Sequence, residues 1–124
     1  MPSPLSSLRI LDFSTLLPGP FASKTLADLG AEVLRVETYS RPDITRSLPA
    51  NVKGAMNAHA SLNRSKHSIG LNLKHPEAVK IVNQLIKKYD IVLEQFRPGV
   101  MKRLGLDYQQ MRIQNPSIIF CSLT

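Results

Sequence analysis

The chain has 124 residues, of which 43% are apolar and 20% charged, with a net charge of +7. That length holds one domain or part of one and buries roughly two-thirds of its unfolded surface, which argues for a packed core and against disorder. No apolar run approaches the ~20 residues that cross a bilayer, and the N-terminus lacks the basic and apolar regions of a signal peptide. The single cysteine, Cys121, cannot close an internal disulfide, so a cytoplasmic setting is expected.

The charge is uneven. Residues 1–63 carry six Lys and Arg against five acids, and residues 64–124 carry ten against four. A basic second half calls for an anionic partner or a solvated surface. Nucleic acid and a small polyphosphate are the two candidates.

In chain order, residues 9–13 form a short β-rich run, and Pro18-Gly19-Pro20 breaks the loop behind it at a helix start. Phe21, Leu26 and Leu29, with Ala22 and Ala27 between them, predict the buried stripe of a helix that Gly30 ends. Residues 33–36 form a second strand with Glu37 at its end, which completes a βαβ unit. Residues 38–68 are long and polar, broken by a short helix around residues 55–62. A loop of that length is expected to carry function.

Residues 68–73 are the next strand. Pro76 opens the clearest helix, with Ala78, Val82, Leu85, Ile86 and Tyr89 inward and Lys80, Gln84, Lys87 and Lys88 outward. Residues 91–93 follow as a buried strand. Short helices are predicted at residues 99–104 and 108–114, and residues 117–123 read as a last, buried apolar strand. The alternation predicts an α/β fold, a Rossmann-like open parallel sheet with flanking helices.

Such a unit first suggests a dinucleotide, but the first strand–helix loop carries only Gly19 where G-x-G-x-x-G is needed, although Glu37 stands where a ribose-binding acid would. His59, His67 and His75 are eight apart and do not share a helical face, and Cys121 lies in an apolar strand, so no metal site is expected. No serine has the surroundings of a hydrolase nucleophile. Asp12, flanked by Leu11 and Phe13, is expected to cap the following loop through backbone N–H groups. Ligands of open parallel sheets sit beyond the carboxyl ends of the strands. There Gln95 offers an amide, Phe96 a flat apolar face and Arg97 a guanidinium suited to phosphate. The stretch Leu71-Asn72-Leu73-Lys74 stands in the same position after another strand.

Five segments in register carry a family resemblance. They are Arg9-Ile10-Leu11-Asp12-Phe13, then Leu16-Leu17-Pro18-Gly19-Pro20 with the helix and strand behind it, and then the stretch from Leu62 to Lys74. The last two are Leu93-Glu94-Gln95-Phe96-Arg97-Pro98-Gly99, running on to Leu106, and Asn115-Pro116. Together they resemble the opening of the class III coenzyme A transferases, a family that also holds the α-methylacyl-CoA racemases.

The resemblance implies that residues 1–124 are the N-terminal, CoA-binding portion of an incomplete large domain, with a CoA thioester as substrate and no metal. By position it implies that Leu71, Asn72 and Lys74 line the adenosine end. Gln95, Phe96 and Arg97 lie beside the pantetheine and phosphates, Arg103 binds phosphate, and Leu17 and Pro18 stand near the thiol. Thr38 and His67 replace arginines common in the family, and Gln95 an asparagine. The family's nucleophilic aspartate, or the histidine and aspartate of its racemases, falls after Thr124. The chain alone is therefore expected to be inactive, and to associate with itself or with a chain carrying the catalytic half. The alternative readings are a racemase-like fragment and a polyanion-binding module.

Overall fold

The computed structural model describes residues 1–48 and 57–124. Five parallel strands are joined by helices: β1 (Arg9–Asp12), α1 (Pro18–Asp28), β2 (Glu32–Glu37), α2 (Ala58–Asn63), β3 (His67–Gly70), α3 (Pro76–Ile86), β4 (Ile91–Glu94), α4 (Val100–Arg103), α5 (Tyr108–Gln114) and β5 (Ile119–Ser122). The sheet order is β3-β2-β1-β4-β5, with Leu11 in register with Leu34 on one side and Val92 on the other. The chain therefore reverses its direction of travel across the sheet between β1 and β4. That switch point is where open α/β sheets bind ligands.

Alternation along the strands builds two cores. Leu11, Phe13, Val36 and Val92 face α3, α4 and α5, where Val82, Ile86, Met101 and Met111 are buried against them. Ile10, Val33 and Leu93 face the other way, towards Ala27 and Ala31. Each fully buried branched side chain contributes about 1.5–3 kcal/mol, so the sheet is stabilised on both faces. α3 follows its sequence pattern, with Ala78, Val82 and Ile86 buried. Its cap is His75, whose Nδ1 accepts from the Glu77 N–H at 3.2 Å.

Three details differ from the sequence expectation. α1 buries Gly19, Pro20, Ser23 and Ala27, while Phe21 is 55% exposed. Small residues at i, i+4 and i+8 let the helix lie close on the sheet, so Phe21 and Leu29 turn outward while Leu26 packs half-buried beside Ala27. β3 is shorter than residues 68–73 and starts at His67. β5 is exposed, Ile119 and Cys121 included, because it is an edge strand. Both side chains share the face of their partners Ile91 and Leu93, where α1 lies over β1 and β2 and leaves β5 uncovered. The long connection after β2 holds a 3₁₀ turn at Ile44–Ser47 as well as α2. The first part of the helix expected at residues 55–62 lies outside the described residues.

Candidate functional site at the carboxyl edge of the sheet

Asp12 ends β1 fully buried, and its carboxylate is matched on both oxygens. One accepts the Ser14 N–H at 2.8 Å and the Ser14 hydroxyl at 2.5 Å. The other accepts the Ser23 hydroxyl at 2.5 Å and lies 3.6 Å from Lys66 Nζ. Asp12 thus caps its loop as expected and also ties down α1. Lys66 donates onward to the Pro20 carbonyl (2.9 Å) and to Asn63 Oδ1 (3.1 Å). Burial, only partly offset by Asp12, lowers its ammonium to about 8.

A second buried pair supports the same loop. Arg35 on β2 donates to Asp43 at 2.9 Å and to Glu37 at 2.9 Å. Asp43 also accepts from the Thr45 N–H and hydroxyl and from the Leu16 N–H. Burial opposes ionisation of Asp43. The hydrogen bonds from Thr45 and Leu16 and the Arg35 charge outweigh it, so the carboxyl stays below the usual carboxylate range. Glu37, the candidate ribose acid, is already engaged by Arg35, Arg46 and Ser68.

The start of α1 is closed to anions. Two of its first three residues are prolines without an N–H, and the donor between them, Gly19 N–H, goes to Gln95 Oε1 at 3.1 Å. A dinucleotide fold places its pyrophosphate there. This helix has no donor left at those positions to receive one.

Lys74 and Arg103 lie on the other face of the sheet, where α3 and α4 pack. Leu73, Lys74, Pro76 and Val79, from the β3–α3 connection, form one groove with Val100, Arg103 and Leu104 of α4. Its volume is about 580 Å³, within the roughly 300–1,000 Å³ typical of small-molecule sites. Among the described residues no ion pair engages Lys74, Arg97, Lys102 or Arg103. A second groove of about 490 Å³ is lined by Glu37, Thr38, Tyr39, Pro42, Arg46, Ser68 and Gly70.

Of the residues singled out in the sequence, Lys74 and Arg103 share the first groove, and Gln95 meets the turn that holds Leu17 and Pro18. Arg97 is exposed beyond β4, and Phe96 packs half-buried against the core. Asn72 is exposed and its Oδ1 accepts from the Lys74 N–H at 3.2 Å, which shapes that turn. Leu71 is buried, so only its backbone is available to a ligand. Sequence reasoning missed the apolar wall of Val79, Val100 and Leu104 and the buried Lys66 and Asp43. Neither of the last two lies in a periodic segment, so no local signal marked them. The histidines are dispersed, and among the described residues no three His, Cys, Asp or Glu side chains cluster as metal ligands would.

Comparison with known proteins gives this geometry its context. The chain is 43% identical to the succinyl-CoA:glutarate CoA-transferase of Mus musculus over 98% of its own length and 28% of the relative. It is 38% identical to the succinate–glutarate CoA-transferase of Agrobacterium fabrum, again over 98% of the chain and 32% of the relative. Among solved structures, Rv3272 of Mycobacterium tuberculosis superposes with a TM-score of 0.86 at 36% identity, covering 98% of this chain and 32% of that one. A CaiB/BaiF family protein from Brucella suis gives 0.87 at 34% identity, over 100% and 34%. The chain spans about a third of the length of these relatives. The sequence profile of CoA-transferase family III matches residues 5–124, and the chain belongs to that family.

Proposed function

We propose that this chain is the CoA-binding portion of an acyl-CoA transferase that moves CoA between carboxylic acids. The observation that carries the reading is the convergence of Lys74 and Arg103, cations without a carboxylate partner among the described residues, on one groove beyond the strand ends. Phosphates of the CoA nucleotide meet these two and Arg97, with Leu71 and Asn72 at the adenosine end. The pantetheine arm runs past Gln95 and Phe96, and the thioester lies by Leu17 and Pro18. The names of the relatives favour transfer over racemisation.

In this reading the nucleophile is an aspartate in the part of the relatives' length that this chain does not span. Its carboxylate attacks the thioester carbonyl, the C–S bond breaks, and CoA leaves as the thiolate from an acyl-enzyme anhydride. The thiolate then attacks the aspartyl carbonyl of that anhydride, whose C–O bond breaks to release the donor carboxylate and leave an enzyme-bound CoA thioester. The acceptor carboxylate repeats the two steps in reverse, so that the new CoA thioester forms and the aspartate is freed. The region of the relatives' length that this chain does not span completes the site in this reading. The single thiol without an internal partner supports a cytoplasmic location, and no described helix is long and apolar enough to cross a membrane.

Calorimetric titration of the 124-residue chain with CoA, and with dephospho-CoA in parallel, tests the binding. Saturable binding that weakens without the 3′-phosphate is the expected result. A folded chain that binds neither overturns the proposal.

A further inference from the structure

Residues 14–20, the loop after β1 and the first turn of α1, are anchored from four separate places along the chain. Asp12 holds Ser14, Asp43 holds Leu16, Gln95 holds Gly19 and Lys66 holds Pro20. Leu16 sits at φ +67°, a left-handed conformation that a leucine rarely adopts. Strain of this kind persists only where the surroundings over-determine it, and it concentrates at ligand clamps. The anchored loop leaves Leu16 and Leu17 pointing outward at 45% and 58% exposure, beside Phe21 at 55%. Leu16, Leu17 and Phe21 are themselves uncharged, with the Lys24 ammonium 5.4 Å from the centre of the Phe21 ring, and the prolines and the Gln95 contact leave this surface short of backbone donors. It can recognise an uncharged chain only by shape, so its position matters.

Lys66 differs from the other anchors. Its side chain is 1% exposed, and it is a cation held among Asp12, Asn63 and a backbone carbonyl of the loop itself. A charge buried this deeply is costly, and neutralising Asp12 alone would not require the bond to Pro20. Gly19 fits the same design, because a Cβ there would stand 2.2 Å from Ser14 Cβ and 2.8 Å from Gln95 Oε1.

We propose that Lys66 is a positioning residue of the binding site. Through Pro20 and Asp12 it fixes the loop as an apolar wall for the pantetheine and acyl end of the bound thioester, and it leaves the nucleotide end at Lys74 and Arg103 unaffected. This inference rests on the CoA reading above.

The test is calorimetric titration of the full chain and of Lys66→Met with two ligands, CoA and adenosine 3′,5′-bisphosphate, which lacks the pantetheine arm. Lys66→Met is expected to weaken CoA about tenfold while the bisphosphate changes by less than about twofold. Gly19→Ala moves the same loop sterically with no change of charge, and it is expected to reproduce the selective loss even if Lys66→Met fails to fold. Equal loss of both ligands in a folded variant, or no loss of either, overturns the positioning role. So does a wild-type chain that binds the two ligands equally well. A wild-type chain that binds neither overturns the CoA reading itself and the inference with it.

Discussion

The side-chain oxygen of Gln95 accepts a hydrogen bond from the Gly19 N–H at 3.1 Å, joining the exit of β4 to the first turn of α1 across the switch point of the sheet. Gln95→Ala leaves that donor without its partner and is expected to cost about 1–2 kcal/mol. Gly19→Ala forces the loop away from Ser14 and is expected to cost about 1–3 kcal/mol. Urea denaturation of the two single variants and the double variant checks both figures. It should show strong non-additivity, since the two residues share one contact.

Asp43 partners the most deeply buried arginine of the chain. Arg35 is 2% exposed, and its Nε already has no partner among the described atoms. Asp43→Asn removes one of the two carboxylates that face Arg35, leaving Glu37, and loosens Leu16 and Thr45 together. The cost is expected to stay below the about 3–5 kcal/mol of a buried charge left with no partner, yet to be a sizeable share of the roughly 5–15 kcal/mol of a typical domain. The urea midpoint should fall accordingly; an unchanged midpoint would show the pair to be dispensable.

Two buried groups set opposite slopes in alkaline solution. Lys66 is lowered by burial from 10.5 to about 8, so between those values the unfolded chain holds a proton that the folded chain has lost, and stability rises with pH. Tyr89 is raised from 10.0 to about 12 by burial and by its bond to Glu32. Over that window the folded chain holds the extra proton, and stability falls. Their joint contribution therefore peaks near pH 10, and the Lys66 limb spans on the order of 3 kcal/mol. Denaturation midpoints between pH 7.5 and about 10 should show the rise, and Lys66→Met should abolish it.

Lys74 and Arg103 are exposed and form no ion pair among the described residues, so Lys74→Ala and Arg103→Ala should each change stability by less than about 0.5 kcal/mol. Each is expected to lower CoA affinity about tenfold and to flatten its dependence on salt. A titration in which neither variant weakens binding would place the phosphates elsewhere.

The uncovered face of β5 carries Ile119 at 59% exposure, and the tip of the anchored loop adds Leu16 and Leu17. Unpaired strand edges with apolar side chains recruit partners. Light scattering of the purified chain is expected to give a mass above 13.8 kDa, and a stable monomer would count against association.

Much of this was legible in the sequence. The 3.6-residue period of α3 and the turn residues around Gly30 and Gly99 marked elements that the structure contains, because local patterns of polarity and backbone freedom set them. α1 was harder to read. Its buried stripe of Gly19, Ser23 and Ala27 is small and partly polar, so the bulky exposed residues dominated the apparent pattern. β5 was misjudged for a related reason. An apolar run looks the same at the centre of a sheet and at its edge, and only the strand order separates the two.

The same division holds at the site. The sequence by itself determined the α/β alternation, the basic second half and the strand-end stretches that contain Lys74, Gln95 and Arg103, since each depends on residue type and spacing along one segment. Only the tertiary structure decided that Lys74 and Arg103 share a groove, that Gln95 closes the start of α1, and that Lys66 and Asp43 lie buried beneath the loop. These are contacts between residues tens of positions apart. They exist only once the sheet order β3-β2-β1-β4-β5 has brought the strand ends side by side.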